Sequence, residues 1–175
     1  CMDLGLVVDR KTGRRFMDEH AGRKIKSDAL FKVIGTDENY PIAVCDDSIV
    51  KAINPSFVKL PLEMGTVKKF DTLEALADHF GIKKDAFLEE VKKFNGFVKA
   101  GEDKDFGRIL SFNNGLTVSQ GPFYGIECCP KIHHTMGGVM INEKAEVISA
   151  TTQKLSEEVY GSMLLGVPNA QFEQA

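Results

Sequence analysis

The sequence predicts an α+β fold in which a small sheet is accompanied by segregated helices. The chain has 175 residues, which suits one domain with at most a small appendage. Hydrophobic residues make up 43% of it, enough to form a core and to argue against disorder. Strand patterns come first, helical patterns follow, and strand patterns then return, an order that is typical of α+β proteins.

The N-terminal part of the chain predicts a hairpin, a helix and a buried strand. Residues 5–9 and 15–19 have strand character and are separated by a polar turn that contains Gly13. Residues 24–34 carry apolar side chains at helical spacing. Residues 41–45 are apolar and follow a turn-like stretch, which indicates a buried strand.

The middle of the chain predicts helices of unequal regularity. Residues 46–48 are expected to start a short helix, whereas residues 52–66 are irregular because two prolines and a glycine interrupt them. Asp71 and Glu74 resemble a capping box, and the helix that follows is expected to end at Gly81.

Residues 84–99 have the most regular helical pattern in the chain. Four apolar residues at steps of four, three and four define its inner face: Phe87, Val91, Phe94 and Val98. The charged residues are expected on its solvated side: Glu89, Glu90, Lys92 and Lys93. The segment that follows, residues 105–108, is interpreted as a structural turn.

The C-terminal part predicts further strands and one more helix. Residues 124–128 have strand character, and residues 139–141 are expected to pair with residues 146–149 across a short turn. Residues 155–163 have a helical pattern.

Charge and composition exclude several functions. The net charge of -3 argues against nucleic-acid binding, which favours basic surfaces. No apolar run reaches the roughly 18 residues of a membrane-spanning helix. Four cysteines in a chain of this length favour free thiols in a reducing compartment, and so the cytoplasm over the periplasm.

The densest chemical signal lies in residues 132–141. His133 and His134 stand next to each other, and a Gly137–Gly138 step follows before an apolar strand. Imidazoles donate hydrogen bonds to anions and titrate near neutral pH. A pair of glycines lets a flat ligand or another chain approach the backbone closely.

A zinc site at these histidines and the neighbouring cysteines is not expected. Cys128 with Cys129, and His133 with His134, are adjacent pairs, whereas zinc ligands are usually spaced by intervening residues. Adjacent residues of a strand also point to opposite faces of it. We therefore predict no metal site, and we expect the remaining histidines, His20 and His79, at the surface.

Several short segments together resemble a known family. They are residues 13–19 followed by Arg23, residues 92–95, 103–108 and 122–124, and residues 133–141 with 144–147. In this order, over about residues 5–153, they resemble the flavoprotein subunits of fumarate reductase and succinate dehydrogenase. The resemblance is greatest to the soluble flavocytochrome c type of fumarate reductase, and the His-His-Thr-Met-Gly-Gly segment is its most specific part.

The resemblance implies three parts. Residues 1–22 would be a hairpin and the entry to a capping domain, residues 23–124 the capping domain that closes over the active site, and residues 125–175 a truncated return to the flavin domain. No G-x-G-x-x-G dinucleotide motif precedes the hairpin. We therefore expect a fragment whose FAD-binding domain lies in a missing part of the protein.

The resemblance also implies roles for four residues. In the family, the flavin delivers a hydride to one alkene carbon of fumarate, and an arginine of the cap protonates the other. By motif position that arginine is Arg23, His133 binds a substrate carboxylate, and the Gly137–Gly138 backbone lies near the flavin. Because the pKa of arginine lies above about 12, a relay must restore its proton, and Glu19 is a nearby carboxylate.

Alternatives stay open at this point. The chain could be one partner of a split flavoenzyme, or a non-catalytic module that keeps the cap fold for interaction. Relatives in the family reduce other α,β-unsaturated acids, such as urocanate or acrylate-type compounds. Any of these acids needs cationic or imidazole donors to hold its carboxylate.

Overall fold

A four-stranded antiparallel sheet lies at the centre of the first part of the chain, in a computed structural model that describes residues 4–131, 139–144 and 146–148. The elements of the described residues are β1 (Leu6–Val8), α1 (Arg23–Ile34), β2 (Ile42–Asp46), α2 (Asp47–Ile53), α3 (Ser56–Glu63), β3 (Val67–Phe70), α4 (Leu73–Phe80), α5 (Lys84–Ala100), the 3₁₀ helix Leu110–Asn113, β4 (Phe123–Glu127), β5 (Met140–Ile141) and β6 (Val147–Ile148). Helices together with small antiparallel sheets confirm the α+β class.

The sheet has the strand order β1-β2-β4-β3, so β1 and β3 form its edges. In the central strand β2, Val44 lies opposite Leu6 on one side and Gly125 on the other. The outer strand β3 exposes Lys68 and Lys69, charged side chains that discourage pairing with another chain. The other edge, β1, is completely buried, because residues 15–19 cover it.

Helices pack on both faces of this sheet. Val7 and Ala43 point to one face, where they meet Leu30 and Ile34 of α1. The alternate residues of β1 and β2 point to the other face, as the pleat of a strand requires. There they pack against apolar side chains of α4 and α5: Leu76, Ala77, Phe87, Val91, Phe94 and Val98.

Most of the predicted elements are confirmed. The helix α1, the buried strand β2 and the long helix α5 lie where their patterns place them. The helix α4 ends at Gly81, whose left-handed backbone forms the C-cap. Its N-cap, however, is Thr72, which accepts a hydrogen bond from the Ala75 N–H, and not Asp71.

Three predictions about local structure were wrong. Residues 15–19 form no second strand, since only Arg15 forms a bridge, to Val8. The region expected to be irregular contains α3, which tolerates Pro61 near its C-terminal end. Glu90 is buried rather than solvated, because Arg14 donates a hydrogen bond to it at 3.4 Å from the turn that packs on α5.

The cysteines are not all free thiols. Cys45 is disulfide-bonded, whereas Cys128 and Cys129 are free. The expectation of free thiols is therefore wrong for Cys45, and the thiols no longer argue for a reducing compartment. Cys128 is buried, and burial raises the pKa of its thiol to about 11.

The second unit of the chain comprises residues 131–175. Its described residues form the predicted hairpin, in which Met140 lies opposite Ile148 and Ile141 opposite Val147. The Asn142 side chain closes the turn by accepting a hydrogen bond from the Glu146 N–H at 3.0 Å. The helix expected at residues 155–163 lies outside the described residues.

Candidate active site

The segment from Gly13 to His20 runs along the buried edge of the sheet, where Arg15 forms a bridge to Val8. Its odd-numbered residues are buried and its even-numbered residues are half-buried, the alternation of a strand that lies against a core. Little backbone pairing accompanies it. Instead, the Glu19 carboxylate accepts the N–H of Val7 at 3.1 Å and so satisfies a donor of the edge strand.

Glu19 belongs to a buried charge cluster of two arginines and two carboxylates. Its Oε1 accepts from Arg15 Nε at 2.9 Å and its Oε2 from Arg15 Nη2 at 2.7 Å. Arg108 Nη1 donates to the same Oε2 at 3.1 Å. Arg15 Nη2 also reaches Asp103 Oδ2 at 2.9 Å. All four side chains are withdrawn from solvent, so their charges compensate one another inside the protein.

Aromatic rings surround the arginines of this cluster. The Arg15 guanidinium carbon lies 5.2 Å from the ring centre of Phe94 and 5.1 Å from that of Phe106. Arg108 lies 5.2 Å from the Phe94 ring. Among the described residues, Arg15 Nη1 has no hydrogen-bond partner. The negative faces of the two rings give this desolvated guanidinium an electrostatic partner instead.

The cluster shifts the pKa values of its members in different directions. Burial alone would lower the pKa of Arg15, but hydrogen bonds to Glu19 and Asp103 outweigh burial and raise it. For Arg108, burial prevails and lowers the pKa. Burial would raise the pKa of Asp103, yet the hydrogen bond from Arg15 prevails and lowers it. Asp103 is therefore held as an anion.

Arg108 ties the cluster to the N-terminal end of β1. Its Nη1 donates to the Gly5 carbonyl at 2.6 Å, and its Nη2 donates to Asn113 Oδ1 at 3.1 Å. Asn113 in turn donates to the Leu4 carbonyl at 2.8 Å. The cluster thus joins three segments that are distant in sequence: residues 4–8, residues 15–19 and residues 103–113.

Arg23 lies just beyond this cluster, exposed at the first position of α1. The N-cap, Gly22, makes no side-chain cap, and the first turn contains no acidic residue. The N-terminus of a helix has positive character and attracts anions. Among the described residues, no hydrogen bond or ion pair holds the Arg23 side chain. Its guanidinium is available to a ligand, and the helix end favours a carboxylate there.

An anchored turn, residues 18–22, connects the cluster to Arg23. The Asp18 carboxylate accepts the His20 N–H at 2.8 Å, and the Asp18 carbonyl accepts the Ala21 N–H at 3.1 Å. Lys26 of α1 reaches back and donates to the Glu19 carbonyl at 3.2 Å. The turn is therefore held by the cluster on one side and by α1 on the other.

An apolar surface flanks the anchored turn. His20 is half-buried, and its ring meets Phe112 edge-on at a centroid distance of 5.6 Å, so its expected surface position is wrong. His79, in contrast, is exposed as predicted. Phe112 is 62% exposed, and Ile109 beside it is 59% exposed. Exposed apolar side chains next to a cationic helix end are typical of a surface that another part of a protein covers.

The geometry of Glu19 does not fit a proton relay. Both of its oxygens are occupied by four donors, from Val7, Arg15 and Arg108. A relay group must exchange its proton with Arg23 and with solvent, whereas Glu19 is completely buried. Its place in the molecule is that of an anchor.

The other residues expected at the site are not placed by the structure. His133, Gly137 and Gly138 lie outside the described residues. Their roles stay predictions. Residues 4–131, 139–144 and 146–148 contain no group of three or more His, Cys, Asp or Glu side chains that could hold a metal ion, and none of their helices is long and apolar enough to cross a bilayer.

The described residues do not fit the dinucleotide part of FAD. Such a site needs a glycine-rich turn from a strand into a helix, with free N–H groups for phosphate. The direct junction of β2 and α2 carries acidic residues instead: Asp46 caps the Ile49 N–H, and Asp47 stands in the first turn. Carboxylates at this helix start would repel a phosphate.

Comparison with known proteins identifies the class as that of flavoproteins. The model of the FAD-binding domain family matches residues 3–157. The chain belongs to this family, and the predicted family and its cofactor, FAD, are thereby confirmed.

Two relatives of this chain are named as reductases. It is 31% identical over 157 residues to the acrylate reductase flavoprotein subunit of Shewanella woodyi, covering 90% of this chain and 31% of that protein. It is 34% identical over 149 residues to fumarate reductase (cytochrome) of Shewanella frigidimarina, covering 85% of this chain and 25% of that protein. The chain thus spans about a third or less of these relatives.

A solved structure supports the same assignment. The open conformation of a flavocytochrome c3 fumarate reductase superimposes with a TM-score of 0.69 at 31% identity, over 88% of this chain and 26% of that one. The extent of the capping domain within this chain stays a prediction.

Sequence reasoning missed the buried charge cluster. Arg15, Glu19, Asp103 and Arg108 all stand in segments that carry the family resemblance, but of the four only Glu19 was considered as a site residue, and none as a partner of the others. A signal was present: Arg15 and Glu19 occupy the inner positions of an alternating segment together with Met17. Charged residues at such positions need buried partners of opposite sign.

Proposed function

We propose that this chain supplies the proton-donating part of an FAD-dependent oxidoreductase that reduces fumarate, or a similar α,β-unsaturated carboxylate, to the saturated acid. The observation that carries this proposal is the presentation of Arg23 at the uncapped, acid-free N-terminus of α1. In the proposed enzyme the flavin, held by the part of the relatives that this chain does not span, supplies the hydride.

Arg23 would act on the substrate in two ways. As the hydride adds to one alkene carbon, negative charge builds up on the other carbon and its carboxylate. A guanidinium placed beside that carbon stabilises this charge. It then transfers a proton to the carbon, which completes the saturated acid. The positive end of α1 adds to the stabilisation. A donor outside the described residues would then restore the proton of Arg23.

The apolar surface beside the anchored turn supports a role inside a larger enzyme over that of an independent interaction module. Phe106, Ile109 and Phe112 expose apolar area directly after Asp103, the residue that fixes this segment to Arg15. In the proposal, the flavin-bearing part of the protein covers this surface and excludes water from the reacting centre.

An acrylate-type acid is the second candidate substrate, because a relative of nearly equal identity is named an acrylate reductase. The two acids differ by one carboxylate. We propose that His133 binds a carboxylate of the substrate. Comparing KM for fumarate and for acrylate separates these candidates.

Arg23→Ala in the intact flavoenzyme tests the proposal. The expected result is a loss of kcat of about 10³-fold or more, since a general acid contributes on this order, with flavin content unchanged. Lys24→Ala is the matched control, because Lys24 is the exposed neighbour of Arg23 and, within the described part of the chain, is paired only with Asp28. His133→Ala should mainly raise KM. Near-normal turnover of Arg23→Ala would remove the acid role from this position.

A further inference from the structure

We propose that Glu19 is the positioning residue for Arg23: its buried carboxylate holds the anchored turn against the sheet edge and so fixes where α1 presents the guanidinium. The proposal rests on the proposed function of Arg23 as proton donor. It assigns to Glu19 a part in the reaction that involves no contact with the substrate.

The edge of the sheet explains why a carboxylate stands at this position. β1 pairs with β2 on one side only, and the Val7 N–H points away from that pairing. Residues 15–19 pass alongside without forming a ladder, so a side chain must accept this hydrogen bond. Glu19 does so at 3.1 Å and thereby fixes a residue of the anchored turn itself.

The charges of the cluster explain why an amide would not serve equally well. Glu19 accepts hydrogen bonds from both Arg15 and Arg108, and together with Asp103 it balances their two positive charges. A glutamine at position 19 would keep the shape, but it would oppose two buried cations with Asp103 alone. Charge-assisted hydrogen bonds are roughly twice as strong as neutral ones, so the segment would be held less tightly.

The opposite side of the turn is held by α1. Lys26 donates its Nζ hydrogen bond to the Glu19 carbonyl at 3.2 Å, while its N–H donates to the Gly22 carbonyl at 3.0 Å. Leu30 and Ile34 pack the far part of the helix onto the sheet. Because the Arg23 side chain has no partner among the described residues, its location depends on these backbone restraints.

Amide hydrogen exchange of the 175-residue chain tests the anchoring directly. In Glu19→Gln, the N–H groups of Ala21 and Lys26 should exchange about tenfold faster, while amides of α5 keep their protection. Lys26→Met removes the other restraint without creating a buried charge, and it should give the same local effect. Glu90→Gln is the control. Glu90 is also a buried acid paired with an arginine, but neither Glu90 nor its partner Arg14 belongs to the anchored turn.

Kinetics of the intact flavoenzyme test the consequence. A small displacement of a catalytic group costs on the order of a hundredfold in rate, so Glu19→Gln should lower kcat about a hundredfold and change KM only a few-fold. Lys26→Met should lower kcat in the same sense. Glu90→Gln should reduce thermal stability but leave both kinetic constants unchanged, which separates positioning from a general loss of stability.

The two proposals fail in different ways. Unchanged exchange at Ala21 and Lys26 in both variants would overturn the anchoring role of Glu19, whatever the activity. Faster exchange with a normal kcat would overturn its positioning role. If Arg23→Ala itself remained active, the proposed function would fall, and a lowered kcat in Glu19→Gln could no longer be ascribed to Arg23.

Discussion

Asp103 shows how strongly one buried carboxylate depends on its partner. It is almost completely buried, and its hydrogen bond from Arg15 outweighs burial, so that its pKa is lowered from the ordinary 3.8. Its other oxygen accepts the Asp105 N–H at 3.1 Å and starts the turn that carries Phe106. One side chain thus sets both the charge balance of the cluster and the course of the segment that flanks the site.

This coupling predicts the effect of pH on stability. A carboxyl whose folded pKa is lowered stabilises the fold above its unfolded pKa, and it loses this contribution as the pH falls through the folded pKa. Asp103→Asn should therefore lower the free energy of unfolding at neutral pH by about 3 kcal/mol, and it should lose less stability than the parent chain below about pH 5. Urea titrations across pH measure both effects.

The exposed neighbour provides the control for this pH effect. Glu102→Gln removes a carboxylate that is 70% exposed and 4.0 Å from Lys104, and it should leave the pH profile nearly unchanged. An Asp103→Asn chain that loses stability on acidification as steeply as the parent would contradict the assigned coupling.

The contact between the first turn and α5 depends on a single glycine. Gly13 has a φ of +70°, and a Cβ there would lie 2.6 Å from the Lys83 carbonyl oxygen and 2.9 Å from the Phe87 nitrogen. In the same turn, the Arg10 carbonyl accepts a hydrogen bond from the Lys83 N–H at 3.0 Å. The start of the longest helix is therefore packed against the loop that leads into the buried charge cluster.

Two glycine substitutions are expected to have opposite effects. Gly13→Ala should lower the free energy of unfolding by about 2 kcal/mol or more, because it adds left-handed strain and a backbone clash. Gly96 is at an exposed position of α5, with nothing within 4 Å of an added carbon. Gly96→Ala should therefore raise the free energy of unfolding by about 1 kcal/mol through helix propensity. Denaturation midpoints by circular dichroism decide this, and a tolerated Gly13→Ala would contradict the packing.

These elements also show what the sequence can predict. The apolar periodicity of α5 and of β2 predicted both elements, since their side chains face a core. The strand β3 escaped prediction because only Val67 in it is buried and two lysines follow. Residues 15–19 have the alternating pattern of a strand. Instead of a backbone ladder, however, the Glu19 side chain accepts the hydrogen bond of the Val7 N–H, and no local sequence pattern predicts this contact. The partners of Arg15 lie up to 88 residues away.

The chain divides into a first unit that ends at Pro130 and a second unit that begins at Lys131. The first presents Arg23, and the predicted carboxylate-binding and flavin-facing residues belong to the second. Family membership identifies FAD as the cofactor, yet the junction of β2 and α2 carries Asp46 and Asp47 and no glycine-rich turn. We propose that this chain contributes the acid and that a part of the enzyme outside this chain holds the dinucleotide.

The visible absorption spectrum of the purified chain, incubated with FAD and then desalted, tests this division most directly. The expected result is a colourless protein, because the junction of β2 and α2 carries two carboxylates and no glycine-rich turn for the pyrophosphate. A full-length reductase of the same family, treated in parallel, should keep its flavin bands. Retention of one flavin per chain by the 175-residue protein would contradict the account.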